Sequence, residues 1–196
     1  MGETITPVVR SLLIACVAAF ALQLWQEPVI ITWFALWNPQ TGLFRPWQLL
    51  TSAFLHGGWI HLLINCMVLY SFGPVLERLL GPSRFLAYFI VSAIGGAVLQ
   101  VLAQNWGLSA AAYSLGASAG TSGLLLAFAM AYPRHKIMIF PIPVPVSAWI
   151  CVAIFAGASL VFALTGMAAG IGHFAHLGGM LGGLLLSLYW RARATR

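Results

Sequence analysis

The chain has 196 residues, of which 61% are hydrophobic and only 6% are charged. A soluble domain carries about 25% charged residues, so this composition excludes an ordinary soluble protein and predicts that most of the surface meets lipid. The net charge of +6 does not indicate nucleic-acid binding, because the nine basic residues lie scattered between apolar segments and form no patch.

The first apolar segment covers residues 8–25, and no clear small-residue cleavage site follows it. We therefore expect a retained membrane span rather than a signal peptide. The next stretch, residues 26–55, is rich in Trp, Phe and Pro. It is too broken to cross a membrane and too apolar to lie in water, which predicts an interfacial, partly re-entrant loop.

The remaining apolar segments complete a set of six predicted transmembrane helices in one membrane domain, residues 1–196, with about 20 residues per span. The predicted spans are 8–25, 56–72, 85–102, 116–132, 144–164 and 170–190. Pro74 follows the second span, where proline costs little. The three cysteines lie inside apolar segments and indicate no disulfide framework. The predicted fold class is an all-α polytopic membrane protein, a six-helix bundle with an interfacial loop between spans one and two.

The basic residues predict the orientation of these spans. With six spans both termini lie on one side, which receives every Lys and Arg except Arg45. The positive-inside rule then places the termini in the cytoplasm, so that spans two, four and six run from the outer face inward.

Polar side chains are costly in a membrane and are usually functional there, and here they concentrate on spans two, four and six. They are His56, His61, Asn65, Ser114, Ser118, Thr121, Ser122, His173 and His176. Ser118 lies 16 residues before Arg134, and His176 lies 15 residues before Arg191. At about 1.5 Å per residue the two side chains share one level near the outer surface, whereas Ser122 lies one turn deeper.

Spans four and six are predicted to approach each other closely. Gly178 and Gly182, and likewise Gly179 and Gly183, repeat at an interval of four, and such small-residue faces let helix backbones come close together. A serine hydroxyl beside an imidazole is an activated nucleophile. The chain has no aspartate, and its glutamates lie outside the spans or at their ends. The pattern thus favours a Ser-His dyad over a triad.

Other readings of these residues stay open. Ser118 could be a packing serine, and His61 with Asn65 could form a structural hydrogen bond between helices. Ser122 is predicted to bond the carbonyl four residues earlier. A metal site of His61, His173 and His176 is conceivable, but no histidine is followed by glutamate, so the H-E-x-x-H metalloprotease pattern is absent.

The motifs "PWQLLTSAFLHGGWIHLLIN", "FGPVLERLLG", "GASAGTSGLL" and "AHLGG", in this order between residues 46 and 190, resemble the rhomboid family of intramembrane serine proteases. The resemblance implies Ser118 as nucleophile and His176 as base. It also implies that His61, Asn65 and the Ser118 N–H stabilise the oxyanion. Many members carry an aromatic residue that packs on the base where this chain has Ser122, and Arg where it has Gln48.

The sequence thus predicts a serine endopeptidase that cleaves transmembrane or membrane-anchored proteins near the outer face. The lipid bilayer and the substrates are the expected partners, without nucleic acid, metal or small-molecule cofactor. The short termini favour a bacterial cytoplasmic membrane. The alternatives are a catalytically inactive rhomboid-like binding protein and a small transporter. A transporter is disfavoured because the cytoplasmic halves of spans four and six are almost entirely apolar.

Overall fold

The computed structural model describes residues 5–139, 142–167 and 170–194, which are mostly helical. The helices are α1 (Pro7–Trp25), α2 (Glu27–Phe34), α3 (Gln48–Thr51), α4 (Trp59–Leu80), α5 (Pro82–Asn105), α6 (Ser118–Ala131), α7 (Ala148–Thr165) and α8 (His173–Ala194). The all-α prediction is wrong for two short antiparallel strand pairs. In these pairs β1 (Leu36–Trp37) bonds β2 (Tyr113–Ser114), and β3 (Lys136–Ile139) bonds β4 (Ile142–Ser147).

Four of the described helices, α1, α4, α5 and α7, are long and apolar enough to cross a membrane. Helix α6 is apolar but has only 14 residues. Helix α8 has 22 residues, and its histidines and glycines lower its mean hydropathy. The protein is thus an integral multi-pass membrane protein, while the number of six spans stays a prediction.

Several helix ends differ from the predicted span ends. Helix α4 begins at Trp59, so His56 precedes it, and it continues to Leu80 with Pro74 in its interior. Helix α7 begins at Ala148 rather than at residue 144, because the residues before it pair with β3. Ser114, one of the polar residues grouped with span four, precedes α6 and lies in β2 opposite Leu36. Strand pairing between distant segments is invisible to the local apolar pattern that predicted these ends.

The region 26–55 is a succession of short elements, and its interfacial, partly re-entrant position stays a prediction. The Gln48 side chain holds the region together. This side chain is fully buried. Its Oε1 accepts from the backbone N–H groups of Arg45 (3.0 Å) and Trp37 (3.3 Å), and its Nε2 donates to the Leu43 carbonyl (3.1 Å). Gln48 therefore anchors this loop at the position where the resemblance implies an arginine.

Helices α5, α6 and α8 pack with their backbones in close contact. A Cβ on Gly179 would overlap the Ala119 carbonyl oxygen, which confirms the predicted close approach of α6 and α8. Helix α5 is equally close to α8, which the sequence analysis missed. A Cβ on Gly95 would lie 2.8 Å from the Gly178 oxygen, and one on Gly96 would lie 2.5 Å from the Ala175 oxygen. These glycines let the first turns of α6 and α8 meet.

Glu77 lies beyond the end of the predicted second span, but in the structure it is within α4 and only 2% exposed. Its carboxylate accepts from the Thr6 hydroxyl (2.6 Å) and from the backbone N–H groups of Val8 (3.1 Å) and Val9 (2.9 Å). The first N–H groups of a helix have no partner within it. Glu77 therefore caps α1 from a neighbouring helix and places a negative charge at its positive end.

Candidate active site

Ser118 is the first residue of α6, and a tight approach of the chain to His61 places it there. Gly116 has φ 129°, a conformation that L side chains rarely adopt. A Cβ on Gly116 would also lie 2.5 Å from His61 Cε1 and 2.8 Å from its Nε2. The Gly116 N–H donates to the Ser52 carbonyl at 2.9 Å, which ties this turn to the segment before α4. Both the backbone conformation and the nearby His61 ring thus require glycine at position 116.

Ser118 and His176 lie within hydrogen-bonding distance, since Ser118 Oγ and His176 Nε2 are 3.0 Å apart. Ser118 is partly exposed, whereas His176 is 9% exposed. No group in the described part of the chain hydrogen-bonds His176 Nδ1. If that nitrogen carries the proton of the neutral imidazole, Nε2 is free to accept the serine proton. The arrangement can therefore activate the Ser118 hydroxyl as a nucleophile.

His61 lies in the first turn of α4 and directs its Nε2 toward the turn before Ser118. Its Nδ1 accepts from the Gly57 N–H at 3.2 Å. A neutral imidazole whose Nδ1 accepts a hydrogen bond carries its proton on Nε2. The nitrogen that faces Gly116 is therefore a donor, which suits the stabilisation of negative charge beside Ser118.

Asn65 lies one turn further along α4 and is 2% exposed. Its Oδ1 accepts from the Thr121 hydroxyl at 3.3 Å, and its Nδ2 donates to the His61 carbonyl at 2.8 Å. These two bonds define which side of the amide is oxygen, and they leave one Nδ2 proton for another acceptor. The Thr121 hydroxyl also lies 3.2 Å from the Ser118 carbonyl, so its single proton is shared between that carbonyl and Asn65 Oδ1, and it helps to orient the amide. From the sequence alone, Thr121 is recognisable only as an intramembrane polar residue without an assigned role.

The two serines of the motif differ clearly in their contacts. Ser122 is 2% exposed, and its hydroxyl donates to the Ser118 carbonyl at 2.5 Å. This confirms the bond predicted to the carbonyl four residues earlier. Within the described part of the chain, Ser118 is the serine whose hydroxyl hydrogen-bonds the His176 ring.

Two phenylalanines of α7 face the two histidines of α8. The ring centroids of Phe155 and His176 are 5.3 Å apart with an interplanar angle of 33°, and those of Phe162 and His173 are 5.3 Å apart. His173, one of the intramembrane polar residues of span six, is buried at 8% exposure. Its surroundings favour packing. Sequence reasoning gave Phe155 no role, since nothing local to α7 indicates which ring it meets.

The main chain of His56, just before α4, is held by two hydrogen bonds. Its N–H and carbonyl bond the two ends of the Gln23 amide, at 3.1 and 2.7 Å. Across the described ranges, no group of three His, Cys, Asp or Glu side chains is arranged to hold a metal ion. That geometry gives no support to the alternative metal site of His61, His173 and His176.

Comparison with known proteins agrees with the motifs. A family model described as the rhomboid domain matches residues 43–193. The chain is 36% identical over 146 residues to Rhomboid protein 1, mitochondrial, of Saccharomyces cerevisiae, a match that covers 72% of this chain and 41% of the relative. It is 28% identical over 191 residues to Rhomboid protease GlpG of Yersinia pseudotuberculosis, covering 95% and 63%.

A third relative is Rhomboid-like protease 5 of Toxoplasma gondii, which is 33% identical over 132 residues, covering 67% of this chain and 15% of the relative. The chain thus spans less than two thirds of the length of each of these three relatives. Two of the three are described as proteases.

Proposed function

Since this chain belongs to the rhomboid family, we propose that it is an intramembrane serine endopeptidase that uses Ser118 and His176 as a catalytic dyad. The observation that carries the proposal is the distance of 3.0 Å between Ser118 Oγ and His176 Nε2. Two residues 58 positions apart, on different helices, meet in the geometry that a nucleophile and its base require.

In the proposed reaction the Ser118 oxygen attacks the carbonyl carbon of the scissile peptide bond. His176 Nε2 takes the hydroxyl proton and then gives it to the leaving amine, so that an acyl-enzyme ester remains on Ser118. A water molecule then attacks the ester, and His176 again accepts and returns the proton. The new carboxyl end of the substrate leaves, and the serine hydroxyl is restored.

The negative charge that develops on the carbonyl oxygen needs donors, and we assign this role to three. They are the Nε2–H of His61, the free Nδ2 proton of Asn65 and the backbone N–H of Ser118. The Ser118 N–H has no partner within α6 because it belongs to the first turn. Removing one such donor typically lowers kcat by about 10²- to 10³-fold.

The substrate class follows from the membrane location. A transmembrane helix hides its peptide carbonyls in its own hydrogen bonds, so its outer end must unwind before Ser118 can attack. We propose that the substrates are transmembrane or membrane-anchored proteins, which unwind in this way and are cleaved near the outer face. We also propose that six spans cross the membrane, that both termini are cytoplasmic, and that the membrane is a bacterial cytoplasmic membrane. The region 26–55 and α7 would border the lateral path of the substrate.

The test is cleavage of a model transmembrane substrate in liposomes, together with labelling by a fluorophosphonate probe. Ser118→Ala should abolish both signals, and His176→Ala should lower cleavage by about 10²- to 10⁴-fold. Ser122→Ala is the matched control and should cleave nearly as well as the unchanged protein, since its hydroxyl bonds only a backbone carbonyl.

Three outcomes contradict the proposal. Labelling that survives Ser118→Ala and disappears in Ser122→Ala would make Ser122 the nucleophile. Full cleavage by His176→Ala would show that His176 is not the base of a catalytic dyad. A folded protein that binds transmembrane segments and never cleaves them would be a non-catalytic member of the family.

A further inference from the structure

The orientation of the His176 ring is set by few contacts. Its Nε2 bonds Ser118, while no described group bonds its Nδ1. The torsion that rotates a histidine ring is broad, so a single hydrogen bond leaves the ring free to tilt. A serine triad solves this problem with a carboxylate on the other nitrogen. Of the two described glutamates, Glu77 caps α1 and Glu27 is an exposed residue of α2.

Instead of a carboxylate, an aromatic ring from α7 packs against the His176 ring. The Phe155 ring lies 5.3 Å from the His176 ring, with the two planes tilted by 33°, so the phenyl ring is in contact with the imidazole. On the other side the His173 ring stands at 90° to His176 with centroids 6.0 Å apart. The hydroxyl of Ser122, four residues after Ser118, donates to the Ser118 carbonyl and makes no bond to His176.

We propose that Phe155 is a positioning residue for the base, holding the His176 imidazole so that Nε2 stays directed at the Ser118 hydroxyl. This inference rests on the proposed function, and it adds α7 to the elements that make the dyad. The nucleophile lies on α6 and the base on α8, whereas the residue that orients the base comes from a third helix. The window of α7 that could cross the membrane has 22% of its residues buried, the smallest share among the four candidate spans.

The consequence is that the dyad is complete only when α7 is packed against α8. A shift of α7 that carries Phe155 away would leave Ser118 and His176 on their helices but release the ring. A misplacement of about 1 Å at a reacting group can lower the rate by about 10²-fold. The structure thus assigns to α7 control over the chemical step itself.

The experiment compares Phe155→Leu, Phe155→Tyr and Phe162→Leu in the full chain. Leucine removes the ring and stays apolar, tyrosine keeps the ring, and Phe162 is a matched control that packs on His173 instead. The readouts are kcat and KM for a model transmembrane substrate, the rate of fluorophosphonate labelling, and thermal unfolding in detergent.

We expect Phe155→Leu to lower kcat and the labelling rate by about 10- to 100-fold with little change in KM. Phe155→Tyr should restore most of the activity, and Phe162→Leu should lose much less. If Phe155→Leu unfolds early, Phe155→Met replaces it as an unbranched apolar variant without a ring. Normal kcat in a ring-free variant would overturn the proposal, as would equal losses in the leucine and tyrosine variants or in the Phe162 control.

Failure of this inference can be told apart from failure of the proposed function. If Ser118→Ala and His176→Ala are inactive while Phe155→Leu is normal, only the positioning role is wrong. If Ser118→Ala still cleaves, the dyad itself is wrong.

Discussion

The cap that Glu77 places on α1 predicts a large and specific loss of stability for Glu77→Gln. Glutamine keeps the size of the side chain but offers one acceptor oxygen instead of two. Glu77 Oε1 accepts from Val8, and Oε2 accepts from Val9 and Thr6. In either orientation the amide loses at least one bond and turns its NH₂ toward a backbone N–H.

The size of the effect follows from these contacts. One hydrogen bond to a charged acceptor contributes about 1.5–3 kcal/mol. The charge at the helix N-terminus adds about 0.3–1 kcal/mol, and up to about 2 kcal/mol where it is buried. We therefore expect the free energy of unfolding to fall by about 2–4 kcal/mol. In a chain of this size, each 1 kcal/mol lowers Tm by about 2–4 °C.

The assay is thermal unfolding in detergent, followed by the loss of helical circular dichroism. Glu27→Gln is the control, since Glu27 is exposed on α2 and should change stability by no more than about 0.5 kcal/mol. At temperatures well below unfolding, Glu77→Gln should still cleave, because Glu77 lies on α4 far along the helix from His61. A Tm equal to that of the control would refute the capping role of Glu77.

Three further changes test the packing and the orientation of the site. Gly179→Ala should lower cleavage by about 10²-fold or more, because its Cβ would overlap the α6 backbone beside Ser118. Gly157→Ala, with open space around it, should stay active, and equal losses in both variants would contradict this view of the helix contact. Thr121→Val should lower kcat by freeing the Asn65 amide, and Thr121→Ser should restore it; no recovery in the serine variant would show that the hydroxyl is not the cause. Gln48→Ala removes the shared acceptor of the region 26–55 and should speed hydrogen exchange there, and unchanged exchange would show that the loop is held by other contacts.

At residues 48 and 122 this chain departs from the family pattern, and the structure shows what each side chain contacts instead. The resemblance implies an arginine at residue 48, but Gln48 makes the bonds that hold the loop. It also implies an aromatic residue at 122, where Ser122 bonds the Ser118 carbonyl while Phe155 lies against His176. A glutamine thus holds the loop at position 48, and the ring that lies against His176 comes from α7 rather than from α6.

The sequence by itself determined the membrane class, the level of Ser118 and His176, and the close approach of their helices. These features depend on quantities that act locally along a chain. A helix rises by a fixed distance per residue, apolar segments enter lipid, and glycines at an interval of four line one helix face. Counting from a basic residue at the end of a span was therefore enough to separate Ser118 from Ser122.

Only the tertiary structure decided where the Glu77 carboxylate goes, which ring faces His176, and how Thr121 turns Asn65. Glu77 and Val8 are 69 positions apart, and Thr121 and Asn65 are 56 apart. Such contacts depend on the rotation of each helix about its own axis and on which neighbour lies beside it. A nearly uniform apolar sequence leaves both undetermined, because lipid and protein surroundings favour the same residues. The packing of the glycine faces settles them, and with them the geometry of the site.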